Sequence, residues 1–225
     1  MSTAHEVLIR DAASILVVRD PGGDAAVLMG QRGAKAAFMP SKFVFPGGAV
    51  DPDDDRVPLA SPVNPRCAAR LDSTGLPAAT LAAAAIRELW EETGLLLGTP
   101  GVWPSRPPPD WSGFAARGMV PQAGTMQFVF RAITPPGRSR RFDARFLMVD
   151  ADALQGDPDD FSGACEELAH LQWVPLARAR SLDLPFVTEV VLAEAHARLR
   201  GGLRGDDSVP FFDNSGTVSA FQRIA

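Results

Sequence analysis

The run LPAATLAAAAIRELWEETG, residues 76–94, limits the possible folds more than any other stretch of the chain. It is dense in strong helix formers, has Pro77 where a first turn would begin, and ends at Gly94, the residue type favoured at a left-handed C-terminal cap. Five of its residues, Ala82–Ile86, are small or apolar and suit a helix packed closely against a sheet. Yet Glu88, Glu91 and Glu92 follow within five positions. At helical spacing they fall on one face, within an arc of about 100°, while Ile86 and Leu89 turn towards a core. Three carboxylates on one patch repel each other, and at a helix C-terminus the helix dipole makes negative charge less favourable still. Two readings follow from this. The patch is either a solvated acidic face with Arg87 paired to Glu91 one turn on, or the site of a cation that neutralises it.

The rest of the chain reads as strands with a second long helix. AASILVVRD (12–20) and AAVLMGQR (25–32) flank the turn PGGD and predict a hairpin. KFVFPGGAV (42–50) predicts a short strand running into a glycine turn. TMQFVFRAI (125–133), RFDARFLMVD (141–150) and EELAHLQWVPL (166–176) predict further strands, the second with Phe142, Ala144 and Phe146 opposite Arg141, Asp143 and Arg145. PFVTEVVLAEAHARLRG (185–201) predicts an amphipathic helix ended by Gly201 and Gly202, and VPFFDNSGTVSAF a hairpin around DNSG. Strands and helices that do not strictly alternate imply a mixed sheet with helices on its faces. Residues 53–76 and 99–113 are rich in proline and lack a sustained period, so both are expected to be loops or insertions.

A length of 225 residues suits one domain with insertions. A net charge of −5 excludes nucleic-acid binding through a general basic surface. The two cysteines, Cys67 and Cys165, lie far apart and suggest reduced thiols, not a zinc site or a disulfide framework. No stretch approaches the roughly 20 apolar residues of a membrane span. Glu6, Arg10 and Asp11 interrupt the N-terminal segment where a signal peptide would have its apolar core, so a cytoplasmic location is expected.

The glycine turn FPGG and the run RELWEETGL together resemble the signature of the Nudix hydrolases, G-x5-E-x7-R-E-U-x-E-E-x-G-U, where U is a bulky aliphatic. Arg87, Glu88, Leu89, Glu91, Glu92, Gly94 and Leu95 complete its second half. In the first half Gly48 is followed by Asp54, an acid in the place of the glutamate, and Asp54 stands 33 positions before Arg87. The signature is therefore split by an insertion at about residues 55–77. The resemblance implies an α/β fold of mixed α+β type, the α/β/α sandwich with a mixed central sheet, as a single domain over residues 1–225 with loop insertions. It also implies a metal-dependent diphosphatase. Glu88, Glu91 and Glu92, with the backbone at Gly48, would hold Mg²⁺ or Mn²⁺, a hard cation suited to carboxylates and phosphate oxygens. Gly47, Asp54, Arg87 and Gly94 would shape the site, with Arg87 orienting the carboxylates. A glutamate would take the proton of the attacking water, either Glu91 or Glu92 on the helix or Glu166 or Glu167 ahead of the later strand.

LMGQRGAKAAFMPSKFVFPGG resembles the motif of the coenzyme A diphosphatase branch at Leu28, Arg32, Phe45, Pro46, Gly47 and Gly48, but differs at Gly30, Gly33, Ala37 and Ser41. The expected substrate is accordingly a small nucleotide-type diphosphate, such as a coenzyme A derivative, ADP-ribose or a dinucleotide. Arg32, Arg141 and Arg145 are expected to meet its phosphates, together with Arg138 and Arg140. Trp103 or Trp111 would stack on an adenine or cover an acyl arm. His5, His170 and His196 stand alone and receive no role. A homodimer is compatible with the sequence, and neither nucleic acid nor membrane is expected as a partner. Two alternatives remain: a ligand-sensing Nudix domain without catalysis, and an isoprenyl diphosphate isomerase using Cys165.

Overall fold

The computed structural model describes residues 7–201 and 208–225. His5, Glu6 and Gly202 lie outside the described residues. The elements are β1 (Ile9–Arg19), β2 (Ala26–Arg32), β3 (Phe43–Val44), β4 (Gly47–Ala49), α1 (Pro65–Asp72), α2 (Ala78–Thr93), β5 (Gly98–Pro100), α3 (Ser112–Ala116), β6 (Met119–Pro121), β7 (Gln127–Ile133), β8 (Arg141–Asp150), β9 (Leu168–Pro175), α4 (Phe186–Gly201), β10 (Val209–Asp213) and β11 (Ala220–Ile224). Nine strands form one mixed sheet in the order β11-β10-β7-β8-β1-β2-β3, with β4 added to β1 and β9 to β2, while β5 and β6 pair separately.

Alternation along the central strands sends side chains to two cores. Ala13, Ile15 and Val17 of β1, with Leu147 and Val149 of β8, face α1 and α2. Leu16, Val18, Phe146 and Met148 face the other way, against Val191, Leu192 and Ala195 of α4. This is the expected mixed sheet between helical layers. No helix among the described residues is long and apolar enough to cross a membrane. Both cysteines are free, Cys67 buried and Cys165 exposed.

One local feature creates the site. β1 and β2 pair only at Val18–Val27 and Arg19–Ala26. Beyond that pair of residues, the free edge of β1 is taken by β4, with Ala13 opposite Gly48 and Ser14 opposite Gly47, while β2 pairs with β3 through Gly30 and Gln31. The two strands therefore splay, and the turn through Phe45 and Pro46 fills the wedge, with the Ile15 N–H donating to the Pro46 carbonyl at 2.9 Å. The glycine turn is thereby pressed towards α2.

The insertion is not the plain loop that its composition suggests. It contains α1, capped by Asn64, whose side chain accepts from the Cys67 N–H at 3.0 Å. Val57, Val63, Cys67 and Leu71 enter the α2-side core. The proline-rich segment 99–113 is also packed inward. Trp111 is 1% exposed, with its ring 5.7 Å from that of Trp103 and 5.3 Å from that of Phe114. The Trp103 Nε1–H donates to the Met119 carbonyl at 2.7 Å. These tryptophans support the fold, which corrects the expectation that they stack on a substrate.

Candidate active site

α2 runs from its cap at Pro77 to Gly94, which adopts a left-handed conformation with φ of 76°. Ala82, Ala83, Ala84 and Ala85 are fully buried, so the small side chains bring the helix close to β1 and carry its last two turns under the glycine turn. Gly48 lies directly against the acidic face. A Cβ at Gly48 would fall 2.3 Å from Glu88 Oε1, so any other residue there would displace the Glu88 carboxylate. The Gly47 N–H donates to Glu92 Oε2 at 2.8 Å.

Arg87 organises the cluster. Its Nε and Nη2 donate to the two oxygens of Asp54 at 3.0 and 3.1 Å, a bidentate pair. Arginine and aspartate are only 3% and 2% exposed. Arg87 Nη2 also donates to the Ala49 carbonyl at 2.9 Å. Its Nη1 donates to Glu88 Oε1 at 2.9 Å and to Glu91 Oε2 at 3.1 Å. Burial alone would lower the pKa of Arg87, but the Asp54 hydrogen bonds and the charges of Glu88, Asp54 and Glu91 outweigh it and hold the guanidinium charged. Asp54 thus meets Arg87 although 33 positions separate them in the chain.

The carboxylates are poised for a partner that the protein does not supply. Burial pushes Glu88 up to about 7, against the opposing effect of Arg87, and the charges of Glu91 and Glu167 add to the rise. Burial also raises Glu91. Glu92, 2% exposed, is raised well above the ordinary carboxylate range by burial and then by Glu88. Its Oε1 is buried and has no hydrogen-bond partner. A buried, unpaired carboxylate oxygen beside a second raised carboxyl is costly unless a cation or proton answers it. Among the described residues no three His, Cys, Asp or Glu side chains are already gathered as a metal cluster; Arg87 donates to Glu88 and Glu91, and the Gly47 N–H donates to one oxygen of Glu92. The donor set is nonetheless all oxygen, and one oxygen is orphaned. These residues fit a hard divalent cation.

Of the two loop acids, Glu167 faces this cluster. Its charge acts on both Glu88 and Glu92, and it accepts from Arg32 Nη2 at 3.0 Å. The exposed Glu166 side chain makes none of these contacts. Arg32 therefore stands at the site, and its Nε is buried without a partner.

Arg141 and Arg145 do not stand there, which corrects their expected role at phosphates. Arg145 is fully buried. It donates from Nε to Thr74 Oγ1 at 3.1 Å, from Nη2 to the Thr74 carbonyl at 2.7 Å, and from Nη1 to Asp11. Arg141, 3% exposed, donates to the carbonyls of Thr134, Asn214 and Ser215. Both guanidiniums are taken up by neighbouring chain segments, Arg145 by the insertion itself. Arg138 and Arg140 are exposed on the β7–β8 turn.

Comparison with known proteins agrees with this geometry. A crystal structure of a Nudix hydrolase from Alicyclobacillus acidocaldarius superposes with a TM-score of 0.62 and 28% sequence identity, covering 85% of this chain and 92% of that one. The acyl-coenzyme A diphosphatase NUDT19 of Gallus gallus is 28% identical over 73% of this chain. The chain spans 60% of the length of that relative. No model of a protein family matches the chain. In fold and in sequence the chain is similar to Nudix hydrolases.

Proposed function

We propose that this protein is a divalent-cation-dependent hydrolase that cleaves the diphosphate linkage of a nucleotide-type substrate, with coenzyme A derivatives the first class to test. The observation that carries the reading is the buried, unpartnered Oε1 of Glu92 beside Glu88, with the glycine turn lying directly against both. Glu88, Glu91 and Glu92 would hold Mg²⁺ or Mn²⁺, with the backbone at Gly48 alongside. When bound, the cation supplies charge neutralisation at the phosphoryl oxygens and lowers the pKa of water.

The remaining work falls to the chain's own groups. Arg87 stays locked to Asp54 and fixes the carboxylate of Glu88 and that of Glu91 by donating to each. Arg32, held at the rim of the cluster, is the cation that meets a substrate phosphate. Glu167, across the cluster from α2, takes the proton from the attacking water at a carboxylate oxygen.

The coenzyme A preference rests on Arg32 and the FPGG turn, and on the likeness to the avian acyl-coenzyme A diphosphatase. The test is turnover of coenzyme A, an acyl-coenzyme A, ADP-ribose, NADH, diadenosine polyphosphates and nucleoside triphosphates with Mg²⁺ or Mn²⁺, with products identified by mass. The expected result is water added across a diphosphate, fastest for the coenzyme A compounds. Binding of these compounds without turnover would instead support a ligand sensor. Rearrangement of isopentenyl diphosphate at unchanged mass would support an isomerase.

A further inference from the structure

The loop that carries Glu167 needs something to hold it, because Ser162, Gly163, Cys165, Glu166 and Glu167 are all exposed. Phe161 packs against the core and anchors its near side. The next anchor is an approach of backbone to backbone. A Cβ at Gly94 would meet Gly163 Cα at 2.8 Å and its carbonyl carbon at 2.9 Å. From the other side, a Cβ at Gly163 would meet Gly94 Cα at 3.3 Å. Two residues on, the Cys165 N–H donates to the Glu91 carbonyl at 3.0 Å, answering one of the carbonyls that the end of α2 leaves open.

Gly94 needs to be glycine for its own conformation, since its φ is 76°. Gly163 is not among the glycines with positive φ. Its backbone is open to any residue, and only the close approach to α2 asks for the missing side chain. We infer that Gly163 is a positioning residue: it lets the loop seat on the Gly94 cap of α2, and that seat aims Glu167 at Glu88 and Glu92. The inference rests on the proposed function for the role of Glu167. The lever is short, because Gly163 and Glu167 are four residues apart. A side chain that lifts Gly163 from α2 breaks the Cys165–Glu91 hydrogen bond and carries the carboxylate with it. Arg32 then loses its partner at the same time.

The test compares wild type with Gly163→Ala, Gly163→Val, Glu167→Gln and the Gly163→Val/Glu167→Gln double variant. Three quantities are read: hydrogen exchange at the Cys165 amide, Mn²⁺ affinity by electron paramagnetic resonance, and kcat with KM on the best substrate of the panel. Gly163→Val is expected to expose the Cys165 amide, weaken Mn²⁺ about 10-fold, as loss of a supporting contact does, and lower kcat at least about 10-fold. Gly163→Ala falls between it and wild type, which keeps the test open if the valine variant folds poorly. In the Glu167→Gln background Gly163→Val should change kcat and Mn²⁺ affinity by less than about twofold, because the residue acts through Glu167. Additive losses in the double variant would make Gly163 merely structural and overturn the inference. So would wild-type kcat and Mn²⁺ affinity in both single glycine variants. If Glu167→Gln keeps both while Glu92→Gln loses both, the role of Glu167 fails and the inference falls with it. If wild type hydrolyses no diphosphate at all, the proposed function fails, and the Mn²⁺ affinities of the five proteins still decide the inference.

Discussion

The acidic face of α2 should weaken the metal-free protein in a pH-dependent way. The perturbation is Glu88→Gln, which keeps the shape of a neutral carboxyl and removes its ionisation. Glu88 titrates near 7 in the fold against an ordinary 4.5, mainly through burial, and its side chain is 12% exposed. Between these two values the folded protein keeps a proton that the unfolded chain gives up. Stability from this group is therefore full below about pH 4.5 and is lost as pH rises through about 7. At about 1.4 kcal/mol per pKa unit, the loss is on the order of 3 kcal/mol. Glu92, raised by burial and by Glu88, adds a loss of the same sign. The assay is urea unfolding of wild type and Glu88→Gln in EDTA at pH 5 and pH 8. Wild type should lose on the order of 3 kcal/mol relative to the variant over that range. Mg²⁺ at roughly 100 times its Kd should restore about 2.7 kcal/mol at pH 8 to wild type, and far less to the variant. A wild-type-minus-variant difference that does not change with pH would refute the reasoning.

Other substitutions separate the site from its supports. Asp54→Asn breaks a buried pair and should cost about 3–5 kcal/mol, read as a fall in Tm; an unchanged Tm would contradict the assigned role. Gly48→Ala drives a Cβ into the end of a flexible side chain, so the fold should survive while displacement of Glu88 lowers kcat/KM by at least about 10-fold. Arg145→Met should lower Tm, for about 3–5 kcal/mol of stability lost, and leave KM unchanged, whereas Arg32→Ala should raise KM about 10-fold or more with little change in Tm. The reverse pattern would return Arg145 to the substrate.

Much of the framework could be read from local pattern alone. The helix from Pro77 to Gly94, the hairpin of β1 and β2, and the terminal hairpin of β10 and β11 all follow from periodicity and turn residues. Helical spacing also put Glu88 and Glu91 within reach of the one guanidinium of Arg87. What stayed hidden depends on partners distant in the chain. Arg145 reads as one member of a charged strand face because nothing local announces that Thr74, 71 residues away, offers it a carbonyl and a hydroxyl. α1 is two turns long, and Pro65 and its polar residues mask it; Val57, Val63, Cys67 and Leu71 become core only once the segment lies on the sheet. Trp111 looks exposed among prolines but is enclosed by Trp103 and Phe114. The difference between Glu166 and Glu167 lies in how their loop seats on α2, a contact between two glycines with no side-chain signal. The splay of β1 from β2, which places the glycine turn, is likewise a property of the whole sheet.

The central claim is that the glutamates of α2 hold a divalent cation for diphosphate hydrolysis. The most direct measurement is a Mg²⁺ titration of turnover for wild type and Glu92→Gln on the best substrate of the panel, with folding of both checked by circular dichroism. The Glu92→Gln protein should fold, with kcat at saturating Mg²⁺ lower by about 100-fold or more. A folded variant that turns over at nearly the wild-type rate at saturating Mg²⁺ would contradict it.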